Sequence, residues 1–270
     1  MAILGAGSMG AAVARAIAAA GAARSLTVTN RTRAKADALA QIPGVRSLAT
    51  DEDDDANGAA AAAADVVVLG VKPAAIAGLV SDIGARLRPG TVLVSIAAGI
   101  PTAAIERSAP PGIAVVRAMP NTPAALGQGV TGLAAGSSAD AADVAAVRGV
   151  FAACGAVVEV AEDRIDALST ISGSGPAYVF LLVEALTAAA RDKGFPPEQA
   201  RVLAEQTFIG AAALLAETGA DPADLRRGVT SPGGTTERAI SVLAAADLAG
   251  LFARATDAAL ARARELAADS

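Results

Sequence analysis

Val229-Thr-Ser-Pro-Gly-Gly-Thr-Thr236 is the stretch of this chain best equipped for chemistry. A proline-braced Gly-Gly pair lets main-chain N–H groups converge on one point, and hydroxyl residues follow at once. The pattern then runs into a helix whose N-terminus favours negative charge. Such a segment suits an anion of carboxylate size. At the opposite end of the chain, Gly5-Ala-Gly-Ser-Met-Gly10 follows an apolar strand pattern and opens a helix pattern. In that setting G-x-G-x-x-G brings Gly5, Gly7, Ser8, Met9 and Gly10 against a dinucleotide pyrophosphate. The two segments together point to a nicotinamide cofactor and a small carboxylate.

The second strand pattern ends at Asn30, twenty residues after Gly10, where an NAD enzyme places a carboxylate for the ribose 2′-hydroxyl. Asn30-Arg-Thr-Arg33 stands there instead. The missing carboxylate removes repulsion of a 2′-phosphate, and Arg31 and Arg33, flanking Thr32, can bind one through charge-assisted hydrogen bonds. NADPH is therefore expected ahead of NADH, the bland alternative being that these arginines only solvate a helix start. Further strand ends carry Val71-Lys-Pro73, Ser95-Ile-Ala-Ala-Gly99 and Met119-Pro-Asn-Thr-Pro123, at the carboxyl edge where open α/β sheets bind ligands. Ala97, Ala98 and Gly99 leave room for a flat ring. Lys72, one of three lysines, reads as a cation near cofactor or substrate, against a helix-capping surface charge. Asn121 either meets a ligand or satisfies its own loop. Tyr178, the sole tyrosine, reads as a core or interface ring before it reads as a proton donor.

The chain contains no histidine, so His-centred acid/base chemistry on a C=O is excluded. Reducing a C=N avoids the need for such a donor, because a protonated iminium already carries its positive charge and accepts hydride at carbon. The protein then has to position two rings and hold a carboxylate.

The elements that must position these residues follow from periodicity. Apolar β-rich runs at Ala2–Gly5, Leu26–Asn30, Val45–Leu48, Asp65–Val71, Thr91–Ile96 and Ile113–Met119, with weaker ones near Val130 and Val157, alternate with Ala-rich helical stretches. That order implies α/β architecture: an N-terminal Rossmann, doubly wound, mostly parallel sheet. From Asp163 the pattern is all helical, punctuated at Gly194-Phe-Pro-Pro197, Gly219-Ala-Asp-Pro222 and Gly233-Gly234, so a boundary is expected at 162, with domains 1–162 and 163–270. The helix from about Pro176 to Ala190 is apolar around nearly its whole circumference, more than a domain of this size can cover, and a second copy of the chain is expected to cover the rest. The apolar run Gly175–Ala190 includes Glu184 and falls short of the roughly 20 residues of a membrane span.

Composition narrows the partners. With 270 residues, 53% hydrophobic, a net charge of −5 and 2% aromatics, the chain suits a soluble protein and offers nucleic acid neither a basic stripe nor a stacking platform. Cys154 is the only cysteine, which excludes an internal disulfide and a thiolate metal cluster and fits a reducing cytoplasm. Asp51-Glu-Asp-Asp-Asp55 reads as a solvated loop entering a short helix, and no metal is expected there.

Over nearly its full length the chain resembles the pyrroline-5-carboxylate reductases, through Gly5–Gly10, Asn30-Arg-Thr32, Val71-Lys-Pro73, Ser95–Ile100, Arg117-Ala-Met-Pro-Asn-Thr-Pro123, Ser172–Tyr178, Asp224-Leu-Arg226 and Val229–Thr236. The resemblance implies NAD(P)H-dependent reduction of 1-pyrroline-5-carboxylate to L-proline, in a Rossmann domain joined to an all-α dimerisation domain. It also implies that Ser231, Gly233, Gly234 and Thr235 hold the carboxylate, that Thr236 hydrogen-bonds the ring nitrogen, and that Ala97, Ala98, Gly99 and Asn121 flank the cofactor. Homodimers that assemble into larger rings are implied too. The segment from Asp51 to Ala64 is longer than the family pattern. The alternatives are another NADPH-dependent imine reductase, a β-hydroxyacid oxidoreductase, or a non-catalytic NADP-binding protein. The β-hydroxyacid family requires a lysine four residues past its later Gly-x-Gly motif, and Val179 stands at that count from Gly175.

Overall fold

Strand residues of the N-terminal half alternate between two apolar clusters, one on each face of a single sheet. In β1 (Ala2–Leu4), Ile3 joins one cluster while Ala2 and Leu4 join the other. The same split separates Val66 and Val68 from Val67 and Leu69 in β4 (Val66–Leu69), and Val92 and Val94 from Leu93 in β5 (Val92–Ser95). Both faces are covered, so these strands are continuous apolar runs.

The structure, a computed structural model, describes residues 1–268. The remaining strands are β2 (Leu26–Asn30), β3 (Val45–Ala49), β6 (Ala114–Met119), β7 (Gly129–Ala135) and β8 (Gly155–Glu159). The sheet order is β3-β2-β1-β4-β5-β6-β7-β8, parallel throughout except for the antiparallel β6–β7 pair. All eight expected strands form, each close to its expected bounds. The register sets Ala2 of β1 opposite Thr27 and Val67. The order reverses between β1 and β4, the switch point at whose carboxyl ends open α/β sheets bind ligands.

Helices α1 (Ser8–Ala20), α2 (Arg33–Ala40), α3 (Ala56–Ala62), α4 (Ile76–Ile83), α5 (Thr102–Ser108) and α6 (Ala141–Phe151) fill the connections. α1 stops at Gly21, which takes the left-handed conformation. α6 starts on a reciprocal cap between Asp140 and Asp143. Cys154 lies buried against the sheet, and burial pushes its thiol up to about 11.

Beyond β8 the chain is helical: α7 (Ile165–Leu168), α8 (Gly175–Asp192), α9 (Pro197–Thr218), α10 (Pro222–Gly228), α11 (Thr235–Ala245) and α12 (Leu248–Ala268). The chain divides into two units, Met1–Pro176 with the chain from Ala259 onward, and Ala177–Ala258. Within the second unit, Tyr178 packs edge-on to Phe252 at 6.0 Å between ring centroids, the aromatic packing expected of it. No residue of α8 is buried within the chain, and Phe180 and Leu181 are 63% and 64% exposed. The expectation that this apolar run is too short to span a membrane is corrected. α7, a π turn over Ser169–Gly173 and α8 form one helical stretch, Glu162–Asp192, whose 31 residues are long and apolar enough to cross one.

Candidate active site

In the first unit, the ends of five parallel strands bring the candidate cofactor residues to one edge. Gly5 leaves β1 with φ +78°, and a Cβ there would lie 2.4 Å from Val71 Cγ1 beyond β4, so only glycine lets the two strand ends approach. A Cβ on Gly10 would meet Ile3 Cγ2 at 3.3 Å, the close helix–strand packing expected of the last glycine in the motif. A Cβ on Gly7 would meet nothing within 4 Å: the space above this exposed backbone is open. The N–H groups of Ser8, Met9 and Gly10, in the first turn of α1, have no intrahelical acceptor. Thr29, which the sequence did not single out, braces the turn. Its Oγ1 accepts from Gly5 N–H at 3.1 Å and donates to Asn57 Oδ1 at 2.6 Å.

Asn30, at the end of β2, is 4% exposed, and its Nδ2 has no hydrogen-bond partner. An orphan donor buried at that strand end suits the ribose edge of a dinucleotide. Arg31 is exposed and makes no ion pair among the described residues. Arg33 differs from expectation: its Nε donates to Asp37 at 2.6 Å and its Nη1 to Glu52 at 2.9 Å. These partners, Asp37 foremost, raise the guanidinium above its ordinary value. Thr32 is the residue preceding α2 and makes no side-chain cap.

Val71 is half-buried, while Lys72, exposed and without an ion pair among the described residues, precedes a short turn begun by Pro73. Past β5, Ser95 Oγ accepts from Ala97 N–H at 3.3 Å, Ala98 is exposed and Gly99 has φ +75°. Asn121 is 7% exposed with both ends of its amide used. Oδ1 accepts from Val130 N–H at 2.8 Å, and Nδ2 donates to Ser172 C=O at 2.9 Å. Its side chain thus satisfies backbone, the second of its two expected roles.

A buried charge network went unread in the sequence. Arg117 is 3% exposed in the middle of the sheet, 2.7 Å from Asp166 and 4.0 Å from Glu162. Both Glu162 oxygens accept from Thr102 at 2.6 Å, one from its N–H and one from its hydroxyl. The signal was an arginine inside an otherwise apolar strand, which requires carboxylates elsewhere in the chain.

In the second unit the Val229–Thr236 turn joins α10 to α11. Gly233 has φ +73°, and its N–H donates to Glu237 Oε2 at 2.9 Å, while Gly234 N–H donates to Ser231 C=O at 3.0 Å. Two of the expected carboxylate-holding amides are therefore used to shape the turn. The N–H groups of Thr235, Thr236 and Glu237, in the first turn of α11, have no intrahelical acceptor. The hydroxyls of Ser231, Thr235 and Thr236 stand on the same short segment, with Thr236 half-buried.

Comparison with known proteins gives this geometry its relatives. Residues 162–266 match the family model for pyrroline-5-carboxylate reductase dimerisation, and residues 1–99 match that for NADP oxidoreductase, coenzyme F420-dependent. A pyrroline-5-carboxylate reductase of Corynebacterium melassecola is 41% identical over 98% of both chains. The structure of a pyrroline-5-carboxylate reductase from Coxiella burnetii superposes with a TM-score of 0.90 at 39% identity, covering 98% of this chain and 97% of that one. The Plasmodium falciparum pyrroline carboxylate reductase with NADP bound gives 0.80 at 25% identity over the same shares. With such identity sustained along the whole length, the chain belongs to the pyrroline-5-carboxylate reductase family.

Proposed function

We propose that this chain reduces 1-pyrroline-5-carboxylate to L-proline with NADPH, and with NADH as a second donor. Full-length identity to a pyrroline-5-carboxylate reductase is the observation that carries the reading. The chain's own groups fit it: an open glycine turn with free amides at the head of α1, and a second turn with free amides and hydroxyls at the head of α11.

When bound, the reduced nicotinamide supplies a hydride. Gly5, Gly7, Ser8, Met9 and Gly10 hold the pyrophosphate, Asn30, Arg31 and Thr32 the adenosine end, and Val71, Lys72 and Pro73 the middle. Ala97, Ala98 and Gly99 flank the ring, and Asn121 fixes the loop beside them. In the second turn, shaped by the Gly233–Glu237 and Gly234–Ser231 contacts, the N–H groups left without an acceptor at the head of α11 donate to the substrate carboxylate. Ser231 and Thr235 add hydroxyls, and Thr236 hydrogen-bonds the ring nitrogen. Lys72 adds a positive charge beside the cofactor. Placement and charge replace a dedicated proton donor, because the iminium enters already protonated.

The organisation proposed with it is a Rossmann domain over 1–162 and a helical domain over 163–270, in a cytoplasmic homodimer that can assemble into a larger ring. The uncovered apolar faces of α8 and the match to a dimerisation model support a second copy, not lipid or nucleic acid, as the cover. NADPH absorbance followed with 1-pyrroline-5-carboxylate and then with 1-pyrroline tests the function. Turnover should be lost or greatly slowed without the carboxylate, and equal rates would refute the proposed role of the turn. Thr236→Val should lower kcat with NADPH affinity unchanged, and an unaltered rate would remove Thr236 from the mechanism.

A further inference from the structure

The edge that should receive a 2′-phosphate is already furnished with the chain's own anions. The acidic segment after β3 lies along the end of β2: Thr50 N–H donates to Asn30 C=O at 2.8 Å and Asp51 N–H to Arg31 C=O at 3.2 Å. From that position Asp51 Oδ2 accepts from Arg33 N–H, the first amide of α2, at 3.4 Å. Glu52 takes Nη1 of Arg33 and Asp37 takes its Nε. Three donors that a phosphate would use therefore face three internal carboxylates. The buried Nδ2 of Asn30 is left over as a neutral donor without a partner. A neutral ribose hydroxyl can take that group, with Arg31 nearby in sequence, without displacing any ion pair. A phosphate must compete with Glu52 and Asp37 for Arg33 and bring its charge beside Asp51 and Glu52.

We propose that Asp51 and Glu52 set the cofactor choice of this enzyme, acting as internal anions that engage Arg33 and so hold back NADPH relative to NADH. The proposal rests on the dinucleotide reading of the β1–β2 edge.

The two half-cofactors 2′,5′-ADP and 5′-ADP isolate that edge, because neither carries a nicotinamide. Their affinities for the full-length protein can be measured by calorimetry. Glu52→Gln removes the charge but keeps an acceptor, and should tighten 2′,5′-ADP about threefold to tenfold, with 5′-ADP moving less than about twofold. Asp51→Asn combined with it should extend the gain. Arg33→Ala should change 2′,5′-ADP less than about twofold in the unaltered chain, yet abolish the gain in the Glu52→Gln background, because only there is Nη1 of Arg33 released from its carboxylate. An unchanged ratio of the two affinities in Glu52→Gln overturns the proposal. So does a large loss of 2′,5′-ADP on Arg33→Ala in the unaltered chain. If the unaltered chain binds neither nucleotide, the dinucleotide reading itself fails and takes the proposal with it.

Discussion

Replacing Glu162 by alanine strips two acceptors from Thr102, the first residue of α5, which is itself 3% exposed. One lost contact is the cap on the α5 amide, worth about 1 kcal/mol, and the other strands a buried hydroxyl at a cost of about 1–3 kcal/mol. The Glu162 side chain is 29% exposed, so water reaches part of the gap, and a total near 2–3 kcal/mol is expected. Arg117 is not orphaned, because Asp166 remains at 2.7 Å while Glu162 is 4.0 Å away. Asp166→Ala should therefore cost more, about 3–5 kcal/mol, since it removes the short partner of a charge buried in the sheet. Glu162→Gln keeps one carbonyl acceptor and should fall between the alanine variant and the parent chain. Urea unfolding at one fixed protein concentration reads all three, because assembly shifts the midpoint. α5 starts directly after the Ala97–Ile100 loop, so Glu162→Ala should also raise the KM for NADPH while binding of 2′,5′-ADP, confined to the adenosine end, stays constant. A Glu162→Ala loss below about 0.5 kcal/mol would refute the cost assigned to an unpartnered Thr102.

Three further outcomes follow from single sites. Gly5→Ala sets a Cβ 2.4 Å from Val71 Cγ1 at φ +78°, so it should cost about 1–3 kcal/mol and weaken NADPH binding, with Val71→Ala restoring only the steric part; an unchanged Tm would contradict this. Burial pushes the Glu106 carboxyl up, but hydrogen bonds from Ser138 and Ser137 outweigh it and leave the group below its ordinary 4.5. The stability it contributes is then complete above that value and is lost as pH falls through the depressed folded value. The deficit of Glu106→Ala at pH 7 should shrink on acidification, and a deficit constant down to about pH 3 argues against the assignment. Cys154, with its thiol pushed up to about 11, should resist iodoacetamide at pH 8 until the chain is unfolded, and rapid labelling of the native protein would show the site is open.

What could be read from the residue order, and what could not, divides along a physical line. β1, β4, β5 and β6 are buried on both faces, so their apolar runs are unbroken and their existence is legible; only their ends were drawn too long, as at Asp65 and Val71 flanking β4. β8 lies at the sheet edge with no buried residue, and its weak signal near Val157 reflects that. Two glycines of the first turn were legible because a steric demand is carried by residue type alone: Gly5 sits where a Cβ has no room, and Gly10 where one would press on Ile3 Cγ2 at 3.3 Å. The over-apolar α8 was legible for the same reason, since a helix with nothing to cover it within its own chain announces a missing partner.

Hydrogen-bond and charge partners behave differently, because they are chosen by the fold. Arg33 and Asp37 lie one helical turn apart and could have been paired by counting, but Glu52 arrives from 19 residues away and only the β2–β3 register brings it in. Arg117 finds Asp166 across 49 positions. Glu237 takes an amide from the very turn whose amides were all assigned outward. In each case the residue type foretold a charge and the structure decided whether that charge was spare. A spare charge can serve a ligand and an engaged one must first be released. The acidic segment beside Arg33 is therefore the feature that residue type alone most undervalues, for it determines how much of a visible arginine pair remains for a phosphate.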